Sequence, residues 1–552
     1  MATRKDIADI IFPEVKETIE DLGKKFPPRS NNVCTRFAPS PTGFLHIWAV
    51  FAWTLASRFA EQNGWIFFLR IEDTDQKRQL EWWIDIIINW FKSFWINIDE
   101  WPIWENNADV WNYGPYIQSQ REYFYKVFVK ELISKWLAYP CRMTEDEINQ
   151  IRENQTKSKL VPWIYWKFSL RRDKSIDEIL DKLKIESWKY QVIRFRSPGD
   201  LTKKIIFHDE IRWDISMIDN YNDVVLIKWD WLPTYHMAHV VDDYLMRVSH
   251  VVRAEERLTS VPLHLQLFAA CGLDHPKYCH PAQILKLEDG KKRKLSKRKD
   301  PEANVEFFFE KWYPIQWIIE YIMWIISSEF EWRQIANPYK DYKDFEFKLD
   351  KMNHAWALFD LVKLNSVCNN YMSRISTDEL YEKTLERAKQ YKPSFAALMQ
   401  SDIEYTKAAI NIERNTPKDP KRFTTFKDVE DQVIFFYDSE REKLCKEVKP
   451  IVLSTSVDIS DKLKSFVNEY SKILDLEVEL ETWFAQLKEI WKKFWFASNN
   501  AEFKEGWYIW KIWDLAMFLR VQLCCASQTP DLFSVMKVMG KERVINRLKN
   551  FK

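Results

Sequence analysis

Between residues 33 and 73 the chain switches between two hydrophobic periods. "VCTRFAPS" is a short apolar run that stops at Pro39 and Pro41, and "IWAVFAWTLASRFAEQNG" then carries Ile47, Val50, Phe51, Leu55 and Phe59 at helical spacing. Gly64 follows where a helix commonly turns through the left-handed region and stops. "WIFFLRIED" reads as a buried strand running into acidic residues. Strand, Gly-containing loop, helix and strand predict a βαβ unit, hence a parallel sheet with ligands at the carboxyl ends of its strands. Upstream, "MATRKDIADIIFPEVKETIEDLGKKF" alternates charged and apolar residues as an amphipathic helix does, and it lacks the apolar core of a signal peptide. Downstream, residues 77–135 look helical in pieces, and 139–210 mix short strands with charged helices as an inserted domain would. "DVVLIKW" (223–229) and "SHVVRAEE" (249–256) then return to the α/β pattern. From residue 301 helical periodicity dominates, broken near "NPYKDYKD" and "NTPKDPKRFTTFKD". The pattern is α/β in its first half and all-α in its second.

Composition adds one anomaly. The 552 residues include 9 glycines and 28 tryptophans. Glycine is thus about 1.6% of the chain against a usual ~7%, and the two types together make about 6.7%. The tryptophans also stand where the layout wants glycine. Trp95 and Trp136 each lie between an amphipathic helix and an extended segment, Trp231 precedes "LPTY", and Trp312 precedes "YP". A bulky side chain at positive φ is a steric outlier. Core indoles should follow the period of 2.0 or 3.6 residues, whereas these follow the punctuation.

Charge and cysteine usage exclude some classes. A net charge of +1, from 82 basic and 81 acidic residues, gives no global field, so any polyanion site must be local. No stretch of about 18 uncharged apolar residues occurs, so no membrane partner is expected. Eight cysteines without a CxxC pair fit free thiols in a reducing cytoplasm. Cys271, His275, Cys279 and His280 crowd into "CGLDHPKYCH", but the spacing lacks the paired hairpin of structural zinc sites. Buried thiols and surface histidines are expected there, with no structural zinc.

Five motifs carry the chemistry. "RFAPSPTGFLHIWA", "RIEDTD", "LPTYHMAHVVDD", "VVRAEER" and "KLSKRKDPEA" occur in that order. Together they resemble the bacterial glutamyl-tRNA synthetases, which are class I aminoacyl-tRNA synthetases, and the resemblance runs from residue 31 to the C-terminal "TPDLFSVMKVMGKERV". It implies a Rossmann-type parallel sheet over 31–300, interrupted at 125–215 by an inserted α/β domain that grips the tRNA acceptor end. It further implies a stem-contact region over 301–390 and a helical anticodon-binding domain over 391–552. Residues 1–30 form an N-terminal extension that matches no motif. The implied reaction joins L-glutamate to ATP with Mg2+ and moves the glutamyl group to the terminal adenosine of tRNA(Glu), in the cytoplasm and as a monomer. Whether tRNA(Gln) is a second acceptor is left open.

The residues suit that reaction. A carboxylate attacking the α-phosphorus needs positioning and positive charge more than a strong base. His46, at the start of a helix, can donate to phosphate with the helix N-terminus behind it. "DGKKRKLSKRKD" places seven cationic residues on a Gly-containing loop. By resemblance Lys294 and Lys297 are the two lysines of a KMSKS-type loop and act with His46, while Thr42, Trp48, Glu256 and Ser296 complete the ATP site. Arginine forks suit carboxylates. By resemblance Arg36 and Arg253 hold the substrate's carboxylate end, Glu72 its ammonium, and Ser40, Tyr235 and His239 shape the pocket. The plainer readings are a helix cap for His46, a solvated basic face for the lysines, and a structural ion pair for Glu72 and Arg253.

Three residues depart from the resemblance: His239 replaces a common asparagine, Arg257 a common tryptophan, and Trp48 the glycine of the HIGH-type motif. An indole at 48 would fill the nucleotide pocket. Glycine is also the residue expected from relatives at Trp229, Trp231, Trp312 and Trp356. With the glycine shortage, this suggests that the host reads UGA as glycine where the sequence shows tryptophan. The competing reading is a catalytically impaired relative that only binds tRNA. Glutaminyl-tRNA synthetases share the catalytic motifs but usually carry a β-barrel anticodon region. The short relative that glutamylates a modified tRNA base lacks the anticodon half.

Overall fold

The computed structural model describes the chain except residues 1–2, 31–32, 42–44, 76–82, 104–110, 186–191, 297, 338–339, 355–356, 415–420, 448–459, 498, 505–507, 509 and 551–552. It divides into two compact units, one of residues 1–307 and 319–360, the other of 308–318 and 361–552.

The first unit contains the expected βαβ motif. Strand Cys34–Phe37 pairs parallel with Ile66–Leu69, Arg36 opposite Phe68. The helix between them, Ile47–Gln62, is capped by His46 and buries Ile47, Val50, Phe51 and Leu55. It stops at Gly64, whose φ is +66°. The Ser249 N–H donates to the Cys34 carbonyl (3.0 Å), which lays strand His250–Val252 beside the motif. That strand pairs parallel with Lys277–Cys279. Asp209, at the end of the hairpin Lys204–Asp209/Trp213–Ile218, joins the same sheet. A third sheet holds the hairpin Ile284–Glu288/Lys291–Lys294 and the short strand Ala357–Leu358.

"DVVLIKW" does not rejoin the parallel pattern. Its strand Val225–Ile227 pairs antiparallel with Val192–Phe195, which pairs with Ala138–Cys141 in a separate three-stranded sheet. Buried Asp223 anchors it there, accepting from Tyr139 Oη (2.8 Å) and the Ser197 N–H (3.0 Å). Three apolar residues fit any sheet, and the anchoring partners lie far away in sequence.

The N-terminal segment forms two helices, Arg4–Ile11 and Ile19–Lys25. Each opens with a capping box, Thr3 with Asp6 and Thr18 with Asp21. Ile7, Phe12, Leu22 and Phe26 pack in one core with Phe124, Tyr125 and Phe128 of the helix Glu122–Ser134. The extension is therefore part of the first unit's core.

In the second unit every regular element is helical among the described residues. Its core gathers Leu380, Phe395, Met399, Phe436, Tyr470, Leu519 and Val535. Cys445 and Cys525 lie side by side, with Cα atoms 5.2 Å apart across 80 residues of sequence, so spacing gave no sign of the pair. The other six cysteines are free and buried. No helix among the described residues is long and apolar enough to cross a membrane.

The backbone conformation sorts the tryptophans. Among the described residues thirteen non-glycine residues have positive φ, and seven of them are Trp95, Trp136, Trp166, Trp213, Trp231, Trp312 and Trp495. Tryptophan's share of the chain would place about one there. At Trp136 the N–H donates to the Ile133 carbonyl and the next N–H, of Leu137, to Leu132. This paired pattern, with a left-handed residue just past the helix, is the Schellman motif. Trp95, Trp312 and Trp495 repeat it, as do Gly64 and Gly272. Trp48, Trp53 and Trp229 are not in the left-handed region, so any need for glycine there comes from close approach instead.

Candidate active site

Helix Tyr235–Leu245 and the strand ends around it assemble a buried charged cluster. Arg36, on its strand, forks Asp243 through Nε (3.2 Å) and Nη2 (3.3 Å). Arg70, one residue past strand Ile66–Leu69, donates to Asp243 Oδ1 (2.6 Å) and to Glu72 Oε1 (3.1 Å). Burial alone would push the Asp243 carboxyl up, but the two guanidinium groups hold it well below the usual range. Glu72 is pushed up by burial, with Arg70 and Arg36 opposing. An ammonium arriving beside Glu72 would favour its ionised form.

Arg253 follows strand His250–Val252. It donates to His280 Nε2 (3.0 Å) and Tyr235 Oη (3.1 Å), and its Nη1 lies 3.2 Å from His264 Nδ1. Its Nη2 is buried with no hydrogen-bond partner among the described residues. His239 Nδ1 lies 3.0 Å from Asp243 Oδ2, and its Nε2 3.3 Å from Tyr278 Oη. Burial lowers His236 to about 4 and His239 to about 3. Arg257 lies over the Tyr235 ring, 4.5 Å from its centroid.

A second cluster sits immediately downstream of Arg253. A cavity of about 150 Å³ is lined by His46, Trp48, Ala254, Glu255, Glu256, Gln283, Ile284 and Lys294. His46 Nδ1 accepts the Trp48 N–H (3.0 Å). A neutral ring then carries its proton on Nε2, which suits it to donate to a phosphate. Lys294 ends the hairpin whose turn, Asp289–Gly290, has positive φ at both residues, and it forms an exposed ion pair with Glu256. Asp300 fastens the next loop by accepting from Arg293 (2.6 and 2.7 Å), Lys286 (3.2 Å) and the Ser296 N–H (2.9 Å). The Trp48 ring stacks on Phe51, centroids 4.9 Å apart, and its indole walls the cavity.

The structure thus brings Arg36, Glu72, Tyr235, His239 and Arg253 to one place and His46, Trp48, Glu256 and Lys294 to another that begins one residue later. Ser40 is exposed and Ser296 half-buried. Thr42, Lys297 and Trp356 lie outside the described residues.

Residues 32–365 match the catalytic domain of the class I tRNA synthetases for E and Q, the one-letter codes of glutamate and glutamine, and residues 379–552 match an anticodon binding domain. The chain belongs to this synthetase family. It is 40% identical to the glutamate–tRNA ligase of Clostridium perfringens (strain SM101 / Type A) over 552 residues, with 99% of each chain covered. The glutamate–tRNA ligase of Clostridium beijerinckii (strain ATCC 51743 / NCIMB 8052) is also 40% identical, with 99% of each covered. A solved glutamate tRNA ligase from Elizabethkingia meningosepticum, in complex with its amino acid, superposes with a TM-score of 0.67 at 26% identity, covering 94% of this chain and 98% of that one. The fold is a class I synthetase catalytic domain followed by a helical anticodon-binding region.

Sequence reasoning missed several residues of this synthetase site. Arg70 and Asp243 stand inside quoted motifs, "RIEDTD" and "HVVDD", yet only folding shows that they pair with the expected ligands. His264 carried no signal. His280 was expected at the surface with His275; it is fully buried, because Asp209 meets its Nδ1 (2.6 Å) and Arg253 donates to its Nε2 (3.0 Å), while His275 is exposed.

Proposed function

We propose that this chain activates L-glutamate with ATP, supplied as its magnesium complex, to glutamyl-adenylate and transfers the glutamyl group to the 3′-terminal adenosine of tRNA(Glu). One observation carries the reading: a phosphate-type donor, His46, and a cation, Lys294, share a cavity that begins one residue after Arg253. In this reading His46, Lys294 and Lys297 steady the developing charge on phosphorus. Thr42, Glu256 and Ser296 help to hold ATP. Arg253 and Arg36 take the carboxylate end of glutamate, Glu72 its ammonium, and Ser40, Tyr235 and His239 its flanks. Magnesium would arrive as part of the ATP complex, held by the triphosphate and by none of these residues, and would supply neutralisation of phosphate charge. Residues 125–215 take the acceptor end, 301–390 the stem and 391–552 the anticodon. The reading implies a cytoplasmic monomer.

It also requires glycine at position 48. Four of the left-handed tryptophans, Trp95, Trp136, Trp312 and Trp495, support a host that reads UGA as glycine, for they occupy the turn that Gly64 and Gly272 occupy. A second reading, a non-catalytic tRNA binder, is favoured by the indole that walls the cavity. Tandem mass spectrometry of the protein from its own host, over residues 37–58, decides between them. Glycine at 48, with glutamate-dependent ATP–pyrophosphate exchange in the presence of tRNA, is the expected result. Tryptophan at 48 with no exchange would put the non-catalytic, tRNA-binding reading first. Charging tRNA(Glu) and tRNA(Gln) side by side determines the acceptor range.

A further inference from the structure

We infer that His264 and His280 are positioning residues that hold the Arg253 guanidinium by their ring lone pairs and leave Nη2 as the nitrogen that meets the substrate's carboxylate. The inference rests on the reading of Arg253 as a glutamate contact and adds how that contact is aimed.

A guanidinium has five N–H donors, no acceptor, and keeps its charge. Every ring nitrogen it faces must therefore present a lone pair. Arg253 Nε donates to His280 Nε2 (3.0 Å), so the His280 proton sits on Nδ1, where it meets Asp209 Oδ2 (2.6 Å). Asp209 cannot swing away, because Oδ1 also accepts the N–H groups of Ile211 (3.1 Å) and Arg212 (3.0 Å). On the other side Arg253 Nη1 faces His264 Nδ1 (3.2 Å), so the His264 proton sits on Nε2 and points at His236 Nδ1 (3.1 Å). One buried cation thus sets the tautomers of three histidines.

The same contacts fix the plane of the guanidinium. Its carbon lies 4.7 Å from the centroid of the Tyr278 ring, a stacking contact suited to a cation. Nε and Nη1 are committed to named acceptors, and Nη2 is buried with no partner among the described residues. A buried cationic donor left unmet is costly, and a carboxylate is the acceptor that best meets it. Burial lowers both His264 and His280, with the nearby Arg253 charge acting in the same direction; at His280 the Asp209 carboxylate opposes them, and the net direction is still downward, consistent with the neutral rings that the geometry requires.

The test is ATP–pyrophosphate exchange with tRNA present, on the full chain produced under its host's codon assignment. His264→Ala and His280→Ala are expected to raise KM for glutamate about tenfold to a hundredfold, the worth of a hydrogen bond to a charged group, while KM for ATP stays unchanged. His264→Asn and His280→Gln place an amide oxygen near the lost lone pair and should recover most of the affinity. Equal rises in both KM values, or no recovery in the amide variants, would overturn the inference. Nitrogen NMR of the unsubstituted chain provides a test that survives misfolded variants. Neutral rings, with the proton on Nδ1 of His280 and on Nε2 of His264, are expected at pH 7; the opposite tautomer or a protonated ring at either position refutes the clamp. An unsubstituted chain with this tautomer pattern but no exchange would instead overturn the catalytic reading and leave the clamp standing.

Discussion

Trp48 occupies a helical backbone position, so strain is not what makes it anomalous. Its ring stacks on Phe51 and forms one wall of the cavity that His46 and Lys294 share. The side chain therefore competes with a ligand for space, and the cost appears in binding rather than in folding. In a chain made with tryptophan at 48, Trp48→Gly should lower KM for ATP at least about tenfold, the scale of one well-placed interaction regained. KM for glutamate should stay put, because Arg36, Glu72 and Arg253 keep their partners. Exchange kinetics with each substrate varied in turn make the check. An unchanged KM for ATP would mean that the nucleotide does not use this wall.

Helix ends and one helix face carry the next scale. Trp95 and Trp495 are about half exposed, 52% and 53%, so replacing them forfeits little buried surface while relieving left-handed strain. In a chain made with tryptophan throughout, Trp95→Gly and Trp495→Gly should each stabilise by about 1 kcal/mol. Trp483 is the opposite case: it lies within helix Leu480–Lys493, is buried, and donates from its indole to Tyr470 Oη (2.9 Å). Trp483→Gly should cost about 3–5 kcal/mol. Urea midpoints at constant slope make the comparison, and a loss of stability at all three positions would contradict the sorting by φ. The helix Tyr235–Leu245 adds a pH dependence. Its His236 and His239 are lowered to about 4 and about 3, chiefly by burial. Below the ordinary histidine range the unfolded chain binds protons that the folded chain does not. Stability is therefore full above about pH 6.5 and falls as pH drops towards 4, by about 1.4 kcal/mol per pH unit for each histidine. Urea midpoints at pH 7 and pH 5 test this, and His239→Asn should make the slope shallower.

For the molecule as a whole, legibility followed locality. The strand Cys34–Phe37, the helix Ile47–Gln62 and the stop at Gly64 could be read because period and punctuation lie within one short window. The strand Val225–Ile227 could be seen but was assigned to the wrong sheet, since nothing local names its partner. Arg36, Glu72 and Arg253 could be picked as residue types suited to glutamate, yet Asp243 lies 207 residues from Arg36 and reached the site only by folding. The N-terminal segment shows the same limit: its amphipathic pattern was plain, but not the face that it covers. Phe26 is 3% exposed and meets Phe124 edge-on at 5.3 Å. Its carbonyl accepts from Arg247 Nε (2.8 Å), and Arg247 Nη2 also reaches the Gly23 carbonyl (2.8 Å). An appendage would tolerate Phe26→Ala with a change within about 0.5 kcal/mol, as surface positions do. A core element should lose about 3–5 kcal/mol, from lost transfer energy and the cavity left behind. The larger loss is expected, read as a lower urea midpoint, and a change at the surface scale would return residues 1–30 to the status of an extension.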